Sequence, residues 1–331
     1  MKFKYFIGID VSKDTLDLSI VEEGKQLLHK RIGNNQKEIK AFITFFKKEF
    51  STDLNSSLYC MEHTGIYTNH LLNVLNDKSI AIWLESAFHI KQSLGLQRGK
   101  NDKVDAKRIA LYAYKNRDEV KLWQPTRNEV KKLKQLVVIR KRIVKTISNL
   151  KKPLSDTSFL SKEEKKTLNN SLKLSLNALK KDLGKIDTQI QEVINEDQHL
   201  KKIFRLTTSV KGVGTITAIQ IIVKTNEFKS ISEAKKFACY AGVAPFEHSS
   251  GSSVRGRSRV SNMADKSMKS TLHMAALAAV NYQGELRDYY LKKVEEGKNK
   301  MSILNAVRNK LILRVFACVK NNREYENNYA Y

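Results

Sequence analysis

The sequence predicts an α/β domain at the N-terminus, a long helical connector and then a mainly α domain. Three observations carry this. Short apolar runs with strand character fill the first 35 residues and recur up to Leu84. A leucine-rich seam with helical spacing runs from Leu172 to Val193, and a compact helical pattern follows Leu206. The expected domains are residues 1–120, 125–202 and 203–325.

Tyr5–Asp10 is an apolar run closed by a carboxylate, Leu16–Val21 alternates, and Gln26–Ile32 follows the turn residues Glu23 and Gly24, a meander suited to antiparallel pairing. From Gln36 to Phe50 the residues Ile39, Phe42, Ile43, Phe46 and Phe50 share one helical face. Leu58–Met61 and Ile80–Leu84 supply two more strands, separated by a second helix. The order βββαβαβα, with a charged residue ending the first strand, fits an RNase H-like mixed sheet flanked by helices and ending near Arg117. From Val130 to Leu200 two charged helices are expected on either side of a break at Pro153–Ser158, because proline lacks the N–H that a helix interior needs. In the second helix Leu172, Leu176, Leu179, Leu183, Ile186, Ile190 and Val193 alternate steps of four and three, which reads as a helical hairpin or a dimerisation coil. Beyond Leu206, Val210–Gly214 opens a helix through Ile222, and Ser232–Ala241 forms another.

Among 331 residues, 60 Lys and Arg stand against 34 Asp and Glu, a net charge of +26 that favours polyanions, nucleic acid first. No apolar run approaches the roughly 18 residues of a membrane span and no leader precedes the first strand, so a soluble, cytoplasmic, nucleoid-associated protein is expected. Cys60, Cys239 and Cys318 lack CxxC spacing, which argues against zinc and against a disulfide framework.

Asp10 and Glu62 each close a strand, and adjacent strand ends place two carboxylates side by side. Asp102 and Asp105, three apart at the start of a helix, share a face. Four hard oxygen donors suit two Mg²⁺ ions, which in phosphoryl transfer polarise the phosphate and stabilise the attacking and leaving oxygens. Gly8–Ile9–Asp10 with Ser12–Lys13 also resembles the first phosphate motif of sugar kinases; the charge and the Asp102/Asp105 pair argue against that reading. His63 follows Glu62 directly, so strand alternation sends it to the other face and it is assigned a structural role. In the C-terminal half, Gly212–Val213–Gly214 either presents backbone N–H groups to a phosphate or makes a plain tight turn. Ser249–Ser253, followed by Arg255, Arg257 and Arg259, reads as a polar basic loop, either phosphate-binding or simply solvated.

Three segments, Gly8–Ile9–Asp10–Val11–Ser12–Lys13, Met61–Glu62–His63–Thr64–Gly65 and Lys100–Asn101–Asp102–Lys103–Val104–Asp105–Ala106, resemble the DEDD insertion-sequence transposases, whose N-terminal domain is similar to the Holliday-junction resolvase RuvC. The resemblance extends through Gly212–Val213–Gly214, Tyr240–Pro245, Ser249–Gly251 and Leu272–Val280. It implies that Asp10, Glu62, Asp102 and Asp105 form the metal site. It implies further that the serine before the first glycine of the basic loop, Ser250, attacks DNA and forms a phosphoserine link. Ser249 adjoins it, and Ser252 stands where the family has a second glycine.

Lys100, Lys103 and Lys107, with Arg98 and Arg108, lie beside the acidic pair and could neutralise a scissile strand. Lys131, Lys132, Lys134, Arg140, Lys141, Arg142 and Lys145 either track a backbone or form a solvated face. No helix carries a clear base-reading pattern, and the resemblance implies a structured bridge RNA that pairs with donor and target DNA. The expected protein is an oligomeric Mg²⁺-dependent DNA recombinase, dimer or tetramer. The rival readings are a RuvC-like nuclease using water and a catalytically silent nucleic-acid-binding protein.

Overall fold

The computed structural model describes residues 3–93, 101–155, 159–250 and 254–326, with backbone only at 154–155, 247–250 and 254–259. The chain divides into two compact units, Met1–Pro125 and Thr126–Tyr331.

The first unit is built on one five-stranded sheet. Strands β1 (Tyr5–Val11), β2 (Thr15–Glu22) and β3 (Lys25–Gly33) form the expected antiparallel meander; β4 (Ser57–Glu62) runs parallel to β1, and β5 (Ala81–Glu85) parallel to β4, giving the order β3-β2-β1-β4-β5. Four helices cover it: α1 (Gln36–Glu49), α2 (Asn69–Asp77), α3 (Ala87–Ser93) and α4 (Asp102–Lys115). Asn35 starts α1 by accepting from the backbone N–H of Glu38 at 3.0 Å.

Strand alternation sorts the side chains into two cores. Tyr5, Ile7, Ile9, Leu16, Leu18, Ile20, Tyr59 and Met61 pack with α1 and α2, where Phe46 sits edge-on to Tyr5 at 5.5 Å and to Tyr59 at 6.4 Å. Phe6, Val21, Leu58, Cys60 and Trp83 face the other way, against Ile109, Ala110 and Ala113 of α4. Truncating Phe46 to Ala removes the hub of the first core, a loss of about 3–5 kcal/mol.

The second unit is helical apart from one hairpin. Helices α5 (Asn128–Ser155) and α6 (Lys162–Glu196) fold back on each other; of the seam residues, Leu176, Ile186, Ile190 and Val193 are buried, as is Ile194, while Leu172, Leu179 and Leu183 are half-buried. Their partner within the chain is α5, so the seam forms a hairpin. Arg140 pairs with Asp187 across it at 2.6 Å. Helix α5 runs through Pro153 and ends at Ser155, within the expected break of Pro153–Ser158, whose residues 156–158 lie outside the described ones. In the last turn, the missing N–H removes only one terminal bond.

Four more elements follow: α7 (Gln198–Thr208), α8 (Thr215–Lys224), α9 (Ala234–Tyr240) and the β-hairpin described below. Then come α10 (Lys266–Asn281), α11 (Glu285–Glu295) and α12 (Lys300–Lys320). Val130, Leu133 and Leu136 of α5 share one core with Ile190 and Ile194 of α6, Ile203 of α7 and Ile219 of α8. The root of the helical hairpin therefore belongs to the same unit as the C-terminal helices.

Arg127 clamps this root. Its guanidinium takes both oxygens of Asp197, at 2.7 and 2.9 Å, and also bonds the buried Glu227 at 2.6 Å. Asp197 in turn caps α7 through the Leu200 N–H at 2.7 Å. Arg127 holds the Asp197 carboxyl down at about 2.

The stretch read as a basic loop is instead a β-hairpin. Strand β6 (Phe246–Ser250) pairs antiparallel with β7 (Val254–Arg259), Ser250 opposite Val254 and Ser249 opposite Arg255. A run of Ser, Arg and Gly has no apolar alternation to mark it as strand. Among the described residues, no helix is long and apolar enough to cross a membrane.

Candidate active site

The acidic residues converge through two local rules. Period-two alternation puts Asp10 on the same face of β1 as Phe6 and Gly8, and Glu62 on the same face of β4 as Leu58 and Cys60, the face that α4 covers. The parallel register sets Ile9 beside Met61, so Asp10 and Glu62 end neighbouring strands on one side of the sheet.

The second rule is close approach. A Cβ built on Gly8 would lie 2.7 Å from the Cα of Ala110, and nearer still to its backbone N and to the carbonyl of Ala106. Only glycine in β1, opposite alanines in α4, lets this helix rest directly on the strand. Asn101 caps α4 through the Lys103 N–H at 2.9 Å, and the first turn carries both Asp102 and Asp105. The helix N-terminus favours carboxylates there.

Asp10 records the convergence. Its carboxyl is pushed up to about 6 by burial first and then by the charges of Asp102, Asp105, Glu62 and Asp17. The two aspartates of α4 turn toward cations: Asp105 meets Arg108 at 2.8 Å and Asp102 meets Arg31 at 3.7 Å. Among the described residues, no three His, Cys, Asp or Glu side chains stand close enough to hold one ion as they are. Asp10 and Glu62 at neighbouring strand ends, with Asp102 and Asp105 in the first turn of the helix that covers that face, are a donor set whose hard oxygens fit divalent cations.

Two further carboxylates share this face and were not singled out from the sequence. Asp17 of β2 lies opposite Asp10, is only 4% exposed, and is held by His29 at 2.8 Å and Arg31 at 3.5 Å. Glu85 of β5 lies opposite Glu62 and accepts from the Ser86 N–H at 2.7 Å and from Tyr112 at 3.3 Å, with His89 2.9 Å away. The signal was available: each is the polar member of an alternating strand beside one that bears a chosen carboxylate.

Lys103 and Lys107 are exposed on α4, while Lys100 lies outside the described residues. Ser250, Gly212, Gly214, Arg255 and Arg257 belong to the second unit; the side chains of Ser250, Arg255 and Arg257 lie outside the description. Gly212 has φ +92°, and a Cβ there would meet the Cβ of Ala279 at 2.5 Å, so packing against α10 demands this glycine. Gly214 has open space around it and precedes α8.

Comparison with known proteins agrees with both halves of the chain. A DEDD transposase family model matches residues 7–158, and the model of the transposase IS116/IS110/IS902 family matches residues 205–291. Pilin gene-inverting proteins are similar over 98% of this chain and 98% of their own length, at 27% identity in Moraxella lacunata and 26% in Moraxella bovis. An uncharacterized protein of insertion element IS110 from Streptomyces coelicolor is 29% identical over 47% of this chain and 37% of its own.

Proposed function

Since the chain belongs to the DEDD transposases of the IS110 group, enzymes that recombine DNA, we propose that it exchanges DNA strands through a metal-assisted phosphoserine route. On this reading the N-terminal unit is an RNase H-like domain of the RuvC kind, and Asp10, Glu62, Asp102 and Asp105 would hold Mg²⁺, two ions per site. The observation that supports it is that Asp10 ends the strand beside that of Glu62 and is raised to about 6 by burial and then by the charges of Asp102, Asp105 and Glu62. Transposases of this type use divalent ions. When bound, such ions polarise the scissile phosphate and stabilise the attacking and leaving oxygens.

The protein's own groups do the rest. Lys103 and Lys107, with Lys100, neutralise the strand beside the acidic pair. The Ser250 Oγ loses its proton and bonds to phosphorus, while one bridging P–O bond of the DNA breaks and its oxygen leaves protonated as a hydroxyl. Attack by a hydroxyl of another strand reverses these steps and frees the serine. No water is consumed, because the phosphoserine conserves the bond. The names of the Moraxella relatives, which speak of inverting a gene, favour such conservative exchange over hydrolysis. Gly212, Gly214, Arg255 and Arg257 contact the nucleic acid. Sequence choice falls to a bridge RNA pairing with donor and target, and a homo-oligomer brings the two DNA segments together.

The test is incubation of the full chain with Mg²⁺, the RNA encoded beside its gene and labelled donor and target DNA, followed by denaturing electrophoresis. A protein–DNA adduct in wild type, absent in Ser250→Ala and Asp105→Ala, is expected. Metal-dependent cleavage that persists in Ser250→Ala with no adduct would replace this reading with hydrolysis by water.

A further inference from the structure

The second unit holds an open groove of about 1120 Å³ between α10 and α12, more than the roughly 1,000 Å³ reached by small-molecule pockets. Pro245, just before β6, and Val260, just after β7, line it, so the groove opens at the foot of the hairpin that carries Ser250. Lys266, Lys269 and His273 contribute from α10, Asn305 and Arg308 from α12, and no carboxylate is among the described lining residues.

Arg308 is the unusual member. It is 4% exposed on α12, and among the described residues no carboxylate pairs with it. Its Nη1 donates to Asn305 Oδ1 at 3.2 Å and its Nη2 to His273 Nδ1 at 2.8 Å, while its Nε finds no partner among the described residues. A guanidinium has five N–H donors, and these two bonds occupy two of them. By accepting at Nδ1, His273 carries its proton on Nε2 and is a donor there. Burial and the Arg308 charge hold the imidazole below its ordinary range, in the neutral form this bond requires. Burying a cation without an anion is costly, and fold stability gives no reason to keep one between α10 and α12. An anion arriving from solvent supplies the reason.

We propose that this groove binds a backbone phosphate of the nucleic-acid strand that passes the foot of the Ser250 hairpin, with Arg308 as the buried anchor and Lys266, Lys269 and His273 as the outer donors. The inference rests on the chain acting on nucleic acid and not on the serine chemistry.

The experiment is equilibrium binding of the full chain to labelled DNA and RNA oligonucleotides across a salt series, with thermal melting alongside. Arg308→Met removes the charge at similar volume and is expected to melt no lower than wild type, since an apolar isostere of a buried ion is neutral or stabilising. It should weaken binding about tenfold or more and reduce the salt slope by about one. Lys269→Gln, at the groove rim, should reduce the slope by about one as well and decides the matter alone if Arg308→Met fails to fold. Equilibrium binding needs no strand cleavage, so failure of the strand-exchange chemistry reads out separately, in the adduct assay. A loss confined to one oligonucleotide identifies the strand as DNA or as RNA. Wild-type affinity and slope for both polymers in Lys269→Gln and in folded Arg308→Met overturn the proposal.

Discussion

Gly8→Ala is the sharpest perturbation of the candidate site, because it touches none of the carboxylates. The added methyl would sit 2.7 Å from the Ala110 Cα where ordinary contact begins at 3.4 Å, so α4 must retreat by at least 0.7 Å. The nearer backbone atoms, Ala110 N at 2.1 Å and Ala106 O at 2.3 Å, raise that to about 1.3 Å. Both neighbours are backbone in a buried helix, and β1 is held on both sides by β2 and β4, so neither wall yields cheaply. Overpacking of this kind costs about 1–3 kcal/mol, and the upper end is expected here. The retreat also carries Asp102 and Asp105 away from Asp10, and a misplacement near 1 Å costs about a hundredfold in rate. Both tryptophans, Trp83 and Trp123, lie in the N-terminal unit, so a urea titration followed by their fluorescence reports its stability directly. Strand cleavage is then measured where the variant is fully folded. An unfolding midpoint and a cleavage rate both equal to wild type would refute the close-approach argument.

Asp10→Asn should stabilise the protein at pH 8 without divalent ions by up to about 3 kcal/mol, since the carboxyl rises from 3.8 to about 6 in the fold and its charged form is the disfavoured one. The gap to wild type should close as pH falls through 6 toward 4, and the same variant should lose any stabilisation by Mg²⁺; equal pH profiles for the two proteins would contradict this. Asp197→Asn has the opposite sign. Its carboxyl lies at about 2 in the fold, so its ion pair with Arg127 contributes about 2 kcal/mol above pH 5, a share lost as pH falls through 2, and the variant should show a shallower acid decline. Gly212→Ala, at φ +92° against Ala279, should cost about 2–3 kcal/mol, seen as weakened hydrogen-exchange protection of α8 and α10 amides.

The sheet was legible because strands buried on both faces, such as β1 and β4, read as apolar runs, and because a carboxylate ending such a run stands out. The companions Asp17 and Glu85 were not noticed because each looks like the ordinary polar residue of a half-buried strand; only the register sets them beside Asp10 and Glu62. Gly8 was visible as part of a motif, but its contact with Ala106 and Ala110 joins residues some hundred positions apart that no local pattern links. The β6–β7 hairpin was unreadable for a different reason, since turn-like and basic residues dominate its strands and leave no apolar alternation. Arg308 escaped notice because it is one of several basic residues on α12, which are usually taken for a solvated edge, and its burial depends on how α10 and α12 meet. The helical seam gave its register in advance, but the same spacing serves a partner from this chain or from another, and it was packing with α5 that made it a hairpin here.

The α5–α6 hairpin has a consequence of scale. Helix α6 has 35 residues. At about 1.5 Å per residue it extends about 50 Å, about fifteen steps of a DNA strand at 3.4 Å each. Its root is fastened into a core and clamped by Arg127, while Leu174 and Phe159 lie exposed toward the tip. Force or displacement applied at the far end is thus delivered to the base of α7 and α8 by a stiff arm, and the arm sets a ruler: whatever engages the tip does so more than one turn of double helix from the helices that receive the motion.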